Sequence, residues 1–214
     1  ILKYTATQFP GTFPSIEICY PKESRREMRV LSRDEQKRFV KYLLDDTDAC
    51  KFGVLLMLFT GLRIGEMCAL KWEDVDTEEN TVSVSAAMQR LRRADADSAA
   101  KTKIVIGAPK SDTSVRTIPL TGNAAELCRR FDVHCPKAYI LTGTTEFMEP
   151  RLLQYRIKKY ASKCGLDGVH AHTLRHTFAT RAVEVGFEIK SLSEILGHAN
   201  TTITLDRYVH SSLE

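Results

Sequence analysis

Apolar residues recur every three to four positions through most of the chain, which is the spacing typical of amphipathic helices. The first run follows Ser32, which forms a capping-box pattern with Glu35 and so predicts a helix N-terminus. Glycines that follow apolar runs predict that two other helices end at Gly61 and Gly197. These two helices cover about residues 48–60 and 189–196, and further helices are predicted over about residues 62–70, 121–131, 150–164, 173–185 and 200–208.

A different pattern occupies residues 81–120, where short alternating runs of β-branched residues predict strands. The three runs are "NTVSVSAA", "TKIVIGAPK" and "SVRTIPL". The polar stretch "RLRRADADSAA", residues 90–100, is expected to be a mobile excursion between two of them. Together the patterns predict an α+β fold that is mostly α, a helical bundle with a small three-stranded antiparallel sheet.

The pattern also suggests how the chain is divided. Residues 1–29 contain three prolines and little periodicity, which predicts a linker. Residues 30–214 are predicted to form one compact domain, because 43% hydrophobic content in a chain of this length is enough to bury a core. Since the chain begins with Ile1 and not with Met, we expect it to be a fragment of a longer protein.

Composition and charge exclude some classes of protein without choosing a function. The chain has 31 Lys and Arg against 27 Asp and Glu, a net charge of +4 that suits a polyanionic partner and equally an ordinary protein. Its six cysteines include no C-x-x-C pair, so neither a disulfide framework nor a zinc ribbon is indicated, and we interpret them as reduced thiols of a cytosolic protein. The longest apolar run, at residues 54–59, is too short to span a bilayer.

The segment "HTLRHTFATR", residues 172–181, carries two histidines and an arginine that a folded core does not require. On a helix, His172, Arg175 and His176 share one arc. A second arc, expected to face the core, contains Leu174, Phe178, Ala182 and Val185. The helix is therefore predicted to bury one side and to present cations on the other.

Similar polar residues stand at helix ends and sheet turns along the chain. Those without an evident packing reason are Arg63, Glu66, Lys110, His172, Arg175, His198 and Tyr208. Their surroundings, "TGLRIGE", "PKSDTSVRTIPL", "HTLRHTFAT" and "LGHANTTITLDRY", resemble in this order the motifs of the tyrosine recombinase catalytic domain, the phage and conjugative-transposon integrase family. The resemblance covers about residues 30–210. A single R-x-x-H is weak evidence, but four ordered motifs with a tyrosine ten residues after "LGH" are specific.

The resemblance implies a role for each matching residue. Tyr208 matches the nucleophile that forms a covalent 3′-phosphotyrosine, and Arg63 and Arg175 match the arginines that clamp the phosphate. Lys110 matches the hairpin lysine that protonates the leaving 5′ hydroxyl, and His172 matches the histidine expected to act as base. His198 matches the last histidine of the family, which donates to a non-bridging oxygen. Glu66 matches the acidic companion of the first arginine, which orients its neighbours.

The resemblance also implies what the whole protein does. It predicts a cytoplasmic, site-specific DNA recombinase that cuts and rejoins double-stranded DNA without metal, cofactor or ATP. Such an enzyme would integrate or excise a mobile element. The family acts as a homo-tetramer on DNA. The family's amino-terminal core-binding domain is missing, so residues 1–29 would be the linker from it. Members of the family usually continue into a helix that docks on a neighbouring protomer, and we expect the six residues after Tyr208 to stop short of it.

Each residue also has an ordinary explanation. Arg63 and Glu66 at i, i+3 are the spacing of a surface ion pair, and His198 could be a helix-end cation. Tyr208 could be a half-buried aromatic. We interpret His176 as a helix residue that hydrogen-bonds a neighbour. Two further lysines that compete with the hairpin lysine are interpreted as solvated, namely Lys101 and Lys103.

Three rival classes stay open. A type IB topoisomerase shares the same set of cations, and a non-catalytic DNA-binding module would use only a basic groove. A metal hydrolase would use the zincin spacing of His172 and His176, but Thr173 stands where a metalloprotease carries Glu, and Arg175 would place a positive charge beside the ion.

Overall fold

The computed structural model describes residues 28–92, 102–108 and 114–209. Helices form most of this part of the chain, as the apolar spacing predicts. The α-helices are α1 (Arg33–Leu44), α2 (Ala49–Thr60), α3 (Ile64–Ala69), α4 (Gly122–Phe131), α5 (Pro150–Lys163), α6 (Ala171–Glu184), α7 (Ile189–Leu196) and α8 (Thr201–Thr204). A 3₁₀ turn covers Trp72–Asp74, and a π-helical turn, Leu205–Val209, continues α8.

Local signals set the ends of these helices. The Ser32 hydroxyl accepts a hydrogen bond from the Glu35 N–H, and the Glu35 carboxylate accepts one from the Ser32 N–H, so the predicted capping box is confirmed. Gly61 and Gly197 end α2 and α7 with φ of 69° and 63°, in the left-handed region that favours glycine. Both predicted helix ends are therefore confirmed.

A small antiparallel sheet is present, but one of its strands is not the one predicted. It consists of β1 (Val75–Asp76), β2 (Thr81–Val84) and β5 (Arg116–Pro119), in the order β1-β2-β5. β2 pairs with β5 with Val82 opposite Ile118. The run "TKIVIGAPK", which was expected to join this sheet, contributes a strand to a separate hairpin, and the two-residue β1 takes its place.

The separate hairpin contains β3 (Ala87–Arg92) and β4 (Thr102–Gly107), paired antiparallel from Ala87 opposite Gly107 to Arg92 opposite Thr102. The prediction of an excursion over residues 90–100 is thus wrong for its first three residues, which extend β3 because their partners lie in β4. Residues 93–101 lie outside the described part of the chain.

The core is centred on α2, in which every residue from Cys50 to Leu58 is buried except the half-buried Lys51. α2 packs against α1, α4 and α6. A second, smaller apolar cluster lies under the last helices and contains Ala179, Leu192, Leu196 and Tyr208. The two clusters hold the amino-terminal and carboxyl-terminal helices against each other, which brings distant motifs together.

Three other predictions concern residues that the structure describes in part, namely those on the linker, on membrane spans and on the cysteines. Residues 1–27 of the predicted linker lie outside them, while Arg29 is tied to Glu35 by an ion pair of 2.6 Å. No described helix is long and apolar enough to cross a membrane. The cysteines in the described segments are free thiols: Cys50, Cys68, Cys128, Cys135 and Cys164.

Candidate active site

Arg63 and Glu66 begin the site at the N-terminus of α3. The Glu66 carboxylate accepts hydrogen bonds from the Arg63 backbone N–H and from Arg63 Nη1, each at 2.8 Å. The Glu66 side chain is only 2% exposed, whereas that of Arg63 is 34% exposed. The pair is therefore anchored in the interior at its carboxylate and only partly exposed along the Arg63 side chain, unlike an ordinary surface ion pair.

A second arginine shares the buried carboxylate. Arg116, at the start of β5, donates from Nη1 and Nη2 to the two oxygens of Glu66 at 3.0 and 2.9 Å. Burial would raise the pKa of Glu66, but the hydrogen bonds from Arg116 and Arg63 outweigh this and lower the pKa to about 2. Glu66 is thus a carboxylate at neutral pH and, because its pKa is so low, a weak proton acceptor.

Arg175 reaches the same place from α6. It donates from Nη1 to the Gly61 carbonyl at 2.8 Å and from Nη2 to the Leu196 carbonyl at 2.6 Å. Arg63 Nη2 donates to the next carbonyl, that of Gly197, at 2.7 Å. Two arginines from distant motifs therefore meet at the turn that ends α7.

Burial of Arg175 corrects the prediction made for its helix. The side chain was expected to point outward, yet it is buried, while Val185 of the predicted core arc is exposed beyond the end of α6. The reason is that α6 is enclosed on several sides by α2, α7 and the last helical turn. Burial, followed by the charge of Arg63, lowers the pKa of Arg175 to about 9, so the guanidinium stays charged at pH 7.

His198 follows directly on the turn that receives both arginines. Its Nδ1 lies 2.8 Å from the Thr204 hydroxyl on α8, which fixes the imidazole ring in orientation. Burial, followed by the positive charges of Arg175 and Arg63, lowers the pKa of His198 to about 3. The imidazole is therefore neutral at pH 7, and Nε2 carries the proton when Nδ1 accepts from the hydroxyl.

Tyr208 closes the site from the last described turn. Its side chain is 1% exposed, and its hydroxyl lies 2.9 Å from Nδ1 of His176. The His172 ring stacks on the His176 ring at a centroid distance of 6.2 Å. Burial raises the pKa of Tyr208, while Arg175, Arg207 and Arg63 act in the opposite direction. The phenol is thus kept protonated among cations that would stabilise its anion.

The structure brings together most of the residues predicted to form the site. Six of the seven lie around the end of α7 and the start of α3, and these are Arg63, Glu66, His172, Arg175, His198 and Tyr208. A cavity of about 460 Å³ opens beside them, lined by Arg63, His172 and β3. Lys110 and Lys101 lie outside the described residues, and Lys103 is exposed on β4. The arrangement can hold an anion between guanidinium and imidazole donors.

Sequence reasoning missed two participants. Arg116 stands six residues after Lys110 in the quoted hairpin motif, but nothing in its local spacing indicates that it pairs with a carboxylate 50 residues earlier. His176 does hydrogen-bond a neighbour, as interpreted, and that neighbour is Tyr208. Within the described residues no group of three or more His, Cys, Asp or Glu could hold a metal ion.

Comparison with known proteins gives relatives along most of the chain. A tyrosine recombinase XerC-like protein of Caldanaerobacter subterraneus subsp. tengcongensis is 30% identical over 204 residues, which cover 86% of this chain and 51% of that protein. Tyrosine recombinase XerA of Thermococcus kodakarensis is 29% identical over 188 residues, covering 86% of this chain and 59% of the relative. The chain thus spans about half the length of the curated relatives it matches.

Solved structures share the fold at lower identity. The Tn1549 transposon integrase in complex with a circular intermediate DNA matches with a TM-score of 0.70 and 22% identity, over 90% of this chain and 67% of that one. The catalytic domain of bacteriophage HP1 integrase matches with a TM-score of 0.57 and 21% identity, over 86% of this chain and 88% of that one. The predicted fold class is therefore confirmed.

A family model agrees with the four motifs and the fold. The model described as the phage integrase family matches residues 29–214, which include every candidate site residue. The resemblance inferred from the motifs is thereby confirmed, and the chain belongs to the phage integrase family.

Proposed function

We propose that this chain is the catalytic part of a site-specific DNA recombinase that cuts and rejoins DNA strands through a 3′-phosphotyrosine at Tyr208. The observation that carries the proposal is the meeting of Arg63, Arg175 and His198 at the end of α7. The Tyr208 hydroxyl lies 2.9 Å from His176, which follows Arg175 on α6. A phosphodiester accumulates negative charge on its non-bridging oxygens during attack, and guanidinium groups match that geometry.

In the proposed reaction the Tyr208 oxygen attacks phosphorus, a new phosphorus–oxygen bond forms, and the bond to the 5′ oxygen breaks. The phenol proton passes to a histidine, for which His172 and His176 are the candidates, and Lys110 supplies a proton to the leaving oxygen. Glu66 orients Arg63. Because Tyr208 is buried, the segment from α8 onward must move for its hydroxyl to reach a phosphate.

The proposed partner is double-stranded DNA, bound by a homo-tetramer of the full-length protein. The proposed role is the integration or excision of a mobile element. The Tn1549 integrase, bound to circular intermediate DNA, supports this choice of partner and role. We include residues 1–29 as the linker from a core-binding domain and residues 30–214 as the catalytic domain. Free thiols in the described segments support a cytoplasmic location.

A trapping experiment tests the proposal. A pool of duplexes with randomised sequence beside a nick is incubated with the chain in EDTA. The nick is included because loss of the short nicked fragment prevents religation. Wild type is expected to leave a covalent protein–DNA adduct that resists SDS, and Tyr208→Phe is expected to leave none. An adduct that survives Tyr208→Phe, or one that forms only with added metal, contradicts the proposal.

A further inference from the structure

Arg116 is placed to act on the site without touching the substrate. Its side chain is 6% exposed, and its guanidinium is occupied by Glu66 on one face and by carbonyls on the other. The carbonyl partners are those of Ile195 on α7 and Ser114 at the end of the hairpin segment. A residue so enclosed has no surface with which to contact a phosphate.

The charges of the three linked residues show what Arg116 contributes. Glu66 alone beside Arg63 would form a neutral pair, because one carboxylate cancels one guanidinium. With Arg116 bound to both carboxylate oxygens, the group of three carries a net charge of +1. The Arg63 side chain is 34% exposed, against 6% for Arg116 and 2% for Glu66, so the surplus positive charge lies on the side nearest to solvent.

We propose that Arg116 is a positioning residue that neutralises the buried Glu66, so that Glu66 can orient Arg63 without cancelling the charge that Arg63 offers to the DNA phosphate. The proposal rests on the proposed function, because it assumes that Arg63 binds the phosphate. A single Arg–Glu pair cannot both orient the arginine and leave its positive charge uncancelled, whereas the group of three can. Glu66 fixes the direction of Arg63, and Arg116 preserves its electrostatic effect.

A purely structural role for Arg116 makes a different prediction. The bond to the Ile195 carbonyl joins β5 to α7, and the bond to the Ser114 carbonyl holds the chain just before β5. Their loss would loosen the site whatever its charge. Removing the charge of Glu66 together with that of Arg116 distinguishes the two roles, because the double change restores the net +1 while the anchoring bonds stay absent.

The experiment measures single-turnover cleavage of the nicked duplex, at saturating DNA, by wild type, Arg116→Met, Arg116→Lys and the double variant Glu66→Gln with Arg116→Met. A second duplex carries a methylphosphonate at the cleaved position, which removes the negative charge of that linkage. Arg129→Met, on α4 and bonded to Thr77 and Asn80, is the matched control for loss of one positive charge elsewhere.

We expect Arg116→Met to slow cleavage of the phosphodiester by about 10- to 100-fold and of the methylphosphonate by less than about threefold. The double variant should recover at least about fivefold over Arg116→Met, and Arg116→Lys should lose less than Arg116→Met because it keeps the charge. Thermal melts identify any variant that does not fold, and if Arg116→Met is one of these, the comparison of Arg116→Lys with the double variant decides.

Equal losses on the two duplexes, or a double variant no faster than Arg116→Met, would overturn the proposal in favour of anchoring alone. Absence of any adduct from wild type would instead contradict the proposed function. The two failures are therefore distinguishable.

Discussion

The Tyr208 hydroxyl lies 2.9 Å from Nδ1 of His176, across 32 residues of sequence, and the tyrosine ring is enclosed by apolar side chains. His176 thus holds the proposed nucleophile in an inward position. Because burial, followed by the charges of His172 and Arg207, lowers the pKa of His176 to about 4, the imidazole is neutral at pH 7. Its Nδ1 accepts the hydrogen bond from the phenol when Nε2 carries the ring proton.

Replacing the phenol oxygen should separate chemistry from stability. Tyr208→Phe is expected to abolish the covalent adduct and to retain DNA binding, which a gel-shift titration measures. Loss of the hydrogen bond to His176 should lower the free energy of unfolding by about 1 kcal/mol, measured by denaturant titration. His176→Phe is the matched control, since it removes the same hydrogen bond and keeps Tyr208. If Tyr208→Phe lost DNA binding as well, the tyrosine would be a binding residue and not the nucleophile.

The two arginines should differ in what their loss costs the fold. Arg63→Gln and Arg175→Gln are each expected to slow cleavage by about 100- to 1,000-fold, because each removes a donor proposed to bind the phosphate. Arg175→Gln should destabilise the protein more, by about 2 to 4 kcal/mol, since it leaves the carbonyls of Gly61 and Leu196 without their donor at a buried position, whereas the Arg63 side chain is partly exposed. Thermal and denaturant unfolding check this contrast. Equal stability of the two variants would contradict the burial argument.

The buried histidines should make stability depend on pH. The pKa of His176 is lowered to about 4 and that of His198 to about 3, whereas both lie near 6.5 in the unfolded chain. The unfolded chain therefore binds more protons below pH 6.5, so the stability contributed by the neutral imidazoles is fully present above that pH and is lost as pH falls toward 4 and 3.

Melting temperatures between pH 7 and pH 5 measure this effect in a range above the titration of most carboxylates. We expect wild type to lose stability over that range and a double variant with His176→Gln and His198→Gln to lose less. His134→Gln, at an exposed histidine in a loop, is the control and should follow wild type. Identical pH profiles for wild type and the double variant would show that these histidines do not titrate abnormally.

Gly197 should be intolerant of any side chain. Its φ of 63° already disfavours other residues, and an added Cβ would lie 3.1 Å from Arg116 Nη1. Gly197→Ala is expected to destabilise the protein by about 1 to 3 kcal/mol and to slow cleavage. Gly186→Ala, with φ of 77° and open space around its Cβ, isolates the backbone cost. A cleavage rate for Gly197→Ala equal to that of Gly186→Ala would show that the contact with Arg116 is unimportant.

Sequence alone predicts the helices and most of the site because those signals are local. Ser32 and Glu35 interact three residues apart, and Gly197 marks the end of α7 by its own backbone preference. The motif order then supplies the candidate residues. The sequence does not predict β1, because two residues, Val75 and Asp76, are too few to show a period.

Pairings between distant segments could not be predicted in the same way. The contact of Arg116 with Glu66 depends on how β5 is packed against α3, and neither side chain has a local pattern that indicates it. Burial of Arg175 is another case, because a helix wheel shows which residues share a face but not how many neighbours will cover it. Such contacts depend on the completed tertiary packing.

Arg63 and Arg175 donate to the carbonyls of Gly197 and Leu196, which belong to successive peptide units. Adjacent Cα atoms are held about 3.8 Å apart by covalent geometry, so the main chain fixes the distance between the two guanidinium groups that its carbonyls bind. Long flexible side chains thereby acquire the precision of a peptide bond, and a shift of this one turn displaces them as a pair.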